Sequence, residues 1–122
     1  MFSNNLHLTT FSGDLTALKN GNNMFNYCYK LESFNSDLSS LIHGEYMFAY
    51  CGELTTFDSD LSSLEDGSSM FESCSNLTTC YSNLSSLKNG SYMFDGCSNL
   101  SDLDYNLSSL EIGEVMFYRC NF

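Results

Sequence analysis

The stretch NGSYMFDGCSNLSDL, residues 89 to 103, carries the spacing that decides the fold. Gly90 stands three residues before Met93-Phe94, Cys97 follows Phe94 by three, and Leu100 follows Cys97 by three. Taken alone, the cysteine could be a reactive thiol or a metal ligand. The rest of the chain makes it a member of a series.

Gly21, Gly44, Gly67, Gly90 and Gly113 are each 23 residues apart, and Met-Phe pairs beginning at Met24, Met47, Met70, Met93 and Met116 keep the same interval. So do Cys28, Cys51, Cys74, Cys97 and Cys120. Self-similarity at a fixed period of this length marks a solenoid, in which one unit cannot bury its apolar face but stacked units can. The register gives a partial repeat at 1–7 and full repeats at 8–30, 31–53, 54–76, 77–99 and 100–122, so the pattern covers the chain as a single domain.

Within a unit the apolar spacing is close to three: Leu54, Phe57, Leu61, Leu64, then Met70-Phe71, Cys74 and Leu77. That period suits neither a long α-helix nor a plain strand. It predicts short parallel strands around LTTF or LSSL and a 3₁₀ or α turn around MFxxC. The glycine column is expected to hold a backbone angle that a Cβ would forbid. Asp14, Asp37, Asp60, Asn83 and Asn106 read as turn residues that bond nearby N–H groups.

The unit LTTFDSDLSSLEDGSSMFESCSN, residues 54 to 76, resembles the 23-residue BspA-type leucine-rich repeat and the related bacterial-surface repeat that carries Met-Phe-x-x-Cys. Met70-Phe71, Cys74 and Leu77 occupy the matching positions, and the likeness extends over the whole chain. The Pro and the alternating Ile residues frequent in that family's strand are absent, which leaves the strand position open between LTTF and LSSL. The resemblance implies a leucine-rich-repeat solenoid, mostly found on surface or secreted proteins of microbes and on some phage proteins. It also implies roles in adhesion and protein or matrix binding, with no catalytic residues and no cofactor.

Composition narrows the partners. Fifteen acidic against four basic residues give a net charge of −11, a field that repels phosphate backbones and anionic lipid. No apolar run approaches the roughly 18 residues that span a bilayer, and MFSNNLHLTT has neither the basic nor the apolar region of a signal peptide. Nucleic acid and membrane insertion are therefore excluded as expectations, and an extracellular, cell-surface or virion location rests on the resemblance alone. Five of the six cysteines form the periodic column, and Cys80 takes a core position that Phe11, Phe34 and Phe57 hold in other units. Small buried thiols packing as hydrophobes account for all six. No C-x-x-C is present, the two histidines lie 36 residues apart without a nucleophile motif, and no enzyme or metal site is expected. A cation between stacked Asp37 and Asp60 is conceivable, but no glycine-aspartate calcium repeat accompanies them.

The units differ most just after the glycine and between Phe and Cys. The first positions read Asn22-Asn23, Glu45-Tyr46, Ser68-Ser69, Ser91-Tyr92 and Glu114-Val115; the second read Asn26-Tyr27, Ala49-Tyr50, Glu72-Ser73, Asp95-Gly96 and Tyr118-Arg119. Ordinary drift of solvent-facing residues would produce such variety. The mixture of Tyr, Ser, Asn and Gly is also that of adaptable binding surfaces. The expectation is a non-enzymatic adhesion or recognition module that meets a protein or glycan ligand through Tyr27, Tyr29, Tyr46, Tyr50, Tyr92 and Tyr118. The alternative is a structural subunit: no polar cap is visible at either end, and a head-to-tail homo-oligomer would build a fibre or appendage.

Overall fold

The computed structural model describes residues 2–103 and 106–121. Each LTTF-type segment ends in a two-residue strand: β1 (Thr10–Phe11), β2 (Ser33–Phe34), β3 (Thr56–Phe57), β4 (Thr79–Cys80) and β5 (Asp102–Leu103). Pairing is parallel and in register, Thr10 with Ser33 and Phe11 with Phe34 in one sheet, and β3-β4-β5 in the other. A second parallel ladder of single bridges joins Asn20, His43, Asp66, Asn89 and Ile112 along the chain. The strands thus lie in LTTF. LSSL is a turn instead, closed in each unit by bonds such as Leu41 N–H to Leu38 O and Leu64 N–H to Leu61 O, both 3.0 Å.

The MFxxC segment corrects the expectation of a 3₁₀ or α turn. It is a run of four-residue turns, such as Met24 N–H to Gly21 O at 3.0 Å and Cys28 N–H to Phe25 O at 3.1 Å. The intervening N–H groups point to the next coil: Gly21 to His43 O, Asn23 to Glu45 O, Phe25 to Met47 O and Tyr27 to Ala49 O, between 2.8 and 2.9 Å. Alternate donors therefore serve the coil itself and its neighbour, and no N–H in the segment is left for a helical ladder. The third residue of these turns lies in the left-handed region, as at Asn23 (φ 62°), Tyr27 (φ 63°), Tyr50 (φ 65°) and Ser73 (φ 59°), which an α-helix does not tolerate. Among the described residues no helix is long and apolar enough to cross a membrane.

The glycine column also departs from expectation. Among the described residues Gly96 is the one glycine with a positive φ, and it lies outside that column. Gly21, Gly44, Gly67 and Gly90 answer instead to space. A Cβ at Gly21 would stand 2.8 Å from Met47 Sδ, and one at Gly67 would stand 3.1–3.2 Å from Leu64, Leu87 and Met93. The methionine of the following coil lies over each glycine, so G-x-x-M is one packing unit repeated along the axis.

The core is a set of side-chain columns. Phe2, Phe25, Phe48, Phe71, Phe94 and Phe117 stack face to face at 5.3–5.7 Å, with planes within 9° of parallel. Phe11, Phe34 and Phe57 form a shorter second stack at 5.7–5.8 Å that meets the first edge-on. Leu38, Leu61 and Leu84 form a further buried column. Offset and T-shaped rings gain beyond their area burial, and the 23-residue period brings every ring over its counterpart.

Candidate functional site

The five periodic cysteines are not surface groups. Cys28, Cys51, Cys74 and Cys97 are fully buried, and each Sγ–H of the series donates to the carbonyl of the Phe 26 residues earlier: Cys51 to Phe25 O at 3.3 Å, and Cys74, Cys97 and Cys120 to Phe48, Phe71 and Phe94 O at 3.1 Å. The same carbonyls accept the turn N–H of their own coil's cysteine. Every internal Phe carbonyl is therefore doubly satisfied, which no alanine in that column could achieve. Burial pushes the Cys74 thiol well above its ordinary pKa, and Cys51 and Cys97 likewise. A protonated, buried thiol is neither nucleophile nor ligand. Cys74→Ala is expected to lose about 1–2 kcal/mol, the methyl-sized cavity plus one hydrogen bond, measured by chemical denaturation under reducing conditions; failure to fold there would contradict this account.

The variable positions form two columns of rungs on the turn side. One is Asn23, Tyr46, Ser69, Tyr92 and Val115; the other is Tyr27, Tyr50, Ser73, Gly96 and Arg119. All ten have φ between 46° and 78°. The N–H groups of the first four rungs of each column are tied to the next coil, and apart from the buried Ser69 their side chains face outward, so the backbone under this surface is held at those rungs. Val115, at φ 46°, is a β-branched residue in a region that favours Gly, Asn and Asp. Val115→Asn is expected to stabilise by about 0.5–1 kcal/mol, or roughly 2–4 °C in Tm, and Asn23→Val to lose a similar amount; thermal melts of the two variants check both signs.

Tyr27 and Tyr50 stack with ring centroids 4.6 Å apart and planes 1° from parallel, and Tyr29 meets Tyr27 edge-on at 5.8 Å. Tyr46 and Tyr92, both more than two-fifths exposed, share the other column with Ser69 between them. Tyr118 lies at the far end beneath Arg119, whose guanidinium carbon is 5.6 Å from its ring centroid. Among the described residues no ring contact joins Tyr46, Tyr92 or Tyr118 to the Tyr27 group. The expected six-tyrosine surface is thus one cluster of three and three separate rings.

Two polar features were not apparent in the sequence. Asp95 is 4% exposed, and its Oδ1 accepts Arg119 Nε–H at 3.0 Å. Nearby, burial and the Asp95 charge raise the Glu72 carboxyl, and the Glu72 charge in turn raises the Tyr50 phenol. On another side Tyr81, 54% exposed, donates its hydroxyl to Asp102 Oδ2 at 3.0 Å. Only the 23-residue register, which puts Arg119 one coil beyond Asp95, could have found the first.

A shallow hollow of about 320 Å³ is lined by Asn35, Ser36, Asp37, Asp58, Ser59 and Asp60. Asp37 and Asp60 Oδ1 accept the N–H of Ser39 and Ser62 at 2.8 Å, the geometry of turn caps. Among the described residues no group of three His, Cys, Asp or Glu side chains is placed to hold a metal ion.

No curated protein and no solved structure matches this chain. A family model for the BspA-type leucine-rich repeat region matches it in six copies over residues 1–122. Parallel two-residue strands, 23-residue columns and the Met-Phe-x-x-Cys turn ladder agree with that match: the chain belongs to the BspA-type leucine-rich repeat family.

Proposed function

We propose that the chain is a non-enzymatic recognition module that presents the turn-side rungs to a protein or glycan ligand at a surface. The family is typically one of surface and adhesion repeat proteins and is generally non-enzymatic. The observation that carries the reading is the separation of roles along each coil. Met, Phe, Cys and Leu repeat without variation in the core columns of the turn, while the rungs between them differ and stand on a hydrogen-bonded backbone. Rigid exposed tyrosines add contact area at low entropic cost. The test is an array of purified proteins and glycans probed with the labelled chain, then with a Tyr27→Ser/Tyr50→Ser variant. Binding that falls at least about tenfold, or 1.4 kcal/mol, in a variant of unchanged Tm supports the reading; ligands indifferent to the substitutions contradict it.

A further inference from the structure

The rungs Tyr27, Tyr50, Ser73, Gly96 and Arg119 recur at the 23-residue period, and the N–H groups of the first four donate in turn to Ala49, Glu72, Asp95 and Tyr118 carbonyls of the following coil at 2.7–2.9 Å, which sets them in one column. The first two rungs are the stacked tyrosines. The ring period then stops. Ser73 carries only a hydroxyl, and Gly96 carries nothing; the three atoms nearest a Cβ at Gly96 all belong to Ser73, at 3.2 to 3.5 Å. Among the described residues Tyr50 has no ring partner besides Tyr27. Between the far face of Tyr50 and the Arg119 guanidinium, which reaches back to Asp95 beside Gly96, the column is therefore empty of large side chains at the Ser73 rung.

Arg119 shows how this surface holds a guanidinium. Its Nε–H bonds Asp95 one coil back in the adjacent column, and its guanidinium carbon lies 5.6 Å from the Tyr118 ring centroid. One coil earlier the same two positions are Glu72 and Gly96. The carboxylate is present there and the guanidinium is not. Glu72 is partly buried and feels the Arg119 charge at longer range, yet among the described residues its carboxylate has no hydrogen bond or ion pair within contact distance.

We propose that this vacancy docks an arginine side chain of a basic protein partner, its guanidinium stacked on Tyr50 and paired with Glu72. The inference rests on the recognition reading above and names the chemistry of the partner. A planar cation satisfies both walls at once: the ring face attracts positive charge, and the carboxylate accepts a guanidinium fork. Lysine supplies the charge without the plane. A sugar would cover Tyr50 and offer Glu72 hydroxyl donors, but no charge to balance the carboxylate. The net charge of −11 steers a basic partner to the surface.

The test titrates the isotope-labelled chain with acetyl-Gly-Arg-Gly-amide and with the lysine and citrulline counterparts, followed by NMR. The largest saturable shifts are expected at the amides of Glu72, Ser73 and Gly96, with arginine binding about fivefold tighter than lysine and about tenfold tighter than citrulline. Glu72→Gln, nearly isosteric, should weaken the arginine peptide about tenfold at unchanged Tm. Gly96→Arg supplies the side chain from within, on a column whose backbone already accepts arginine at φ 60°, and should abolish peptide binding. Shifts of equal size for lysine and arginine spread over Asp37, Asp58 and Asp60 would overturn the proposal, as would no saturable shift at Gly96. A ligand from the array that needs Tyr27 and Tyr50 but ignores Glu72→Gln would sink the arginine slot and leave the recognition reading standing; one that ignores all three would sink both.

Discussion

A Leu61→Asp chain is expected to lose its cooperative transition. Leu61 is fully buried between Leu38 and Leu84, at the middle of its column. A carboxylate there has no partner, and burying it either ionised or forcibly neutralised costs at least about 4–5 kcal/mol. The position amplifies the loss. In a stacked array stability is close to a sum of coil and coil–coil terms, so a failed central coil leaves two short pieces, each with too few neighbours to bury its core. Asn76→Asp, on an exposed corner, should stay within about 0.5 kcal/mol of the parent. Calorimetry of both decides the matter: a sharp Leu61→Asp melt at the parental Tm would show that these columns are not continuous.

Alkali is expected to unfold the protein unusually steeply. Cys51, Cys74 and Cys97 are neutral when protonated, and burial raises all three in the folded chain. Above the unfolded value of about 8.5 the unfolded chain releases protons that the folded chain keeps. Their contribution is thus fully present below that pH and is lost as pH rises. Each thiol subtracts about 1.4 kcal/mol per pH unit, so three subtract about 4 kcal/mol per unit. Against a typical domain stability of about 5–15 kcal/mol, this unfolds the array between roughly pH 10 and 12. Denaturant midpoints measured from pH 8 to 11 test it. Cys74→Ala should lower the slope by about a third of the thiol share, and comparison with the parent removes the tyrosine contribution. Superimposable profiles for parent and variant would show that the thiol is not held protonated by burial.

Much of this architecture was legible in the sequence, because a period of 23 with apolar positions every third residue admits few foldings. Phe25, Phe48 and Phe71 had to stack, and Cys51 and Cys74 had to lie in line with them. What was not legible came from local conformation. Glycine is the usual occupant of φ > 0, so Gly44 and Gly67 were expected there. The left-handed positions instead belong to Tyr46, Ser69, Tyr50 and Ser73, residues with no signature for it. Coil-to-coil hydrogen bonds impose that angle, and Gly is needed where Met47 and Met93 close in. The same alternation of donors made a helical turn impossible although Met-Phe-x-x-Cys has helical spacing. The tyrosines were read as one surface because their columns could be aligned but not distinguished; Tyr118 belongs beside Arg119, while Tyr27 and Tyr50 share a stack.

The central claim is that variable side chains stand on a pre-organised backbone. Amide hydrogen exchange tests it most directly, because exposure of the side chain and protection of the N–H are expected at the same residue. Tyr46, Tyr50, Ser73 and Tyr92 donate to the next coil at 2.7–3.1 Å. Their amides should exchange as slowly as those of the buried Phe48 and Phe71, with opening energies approaching global stability. Exchange at loop-like rates for these four, beside slow exchange at Phe48 and Phe71, would contradict the account and make the recognition face a set of mobile loops.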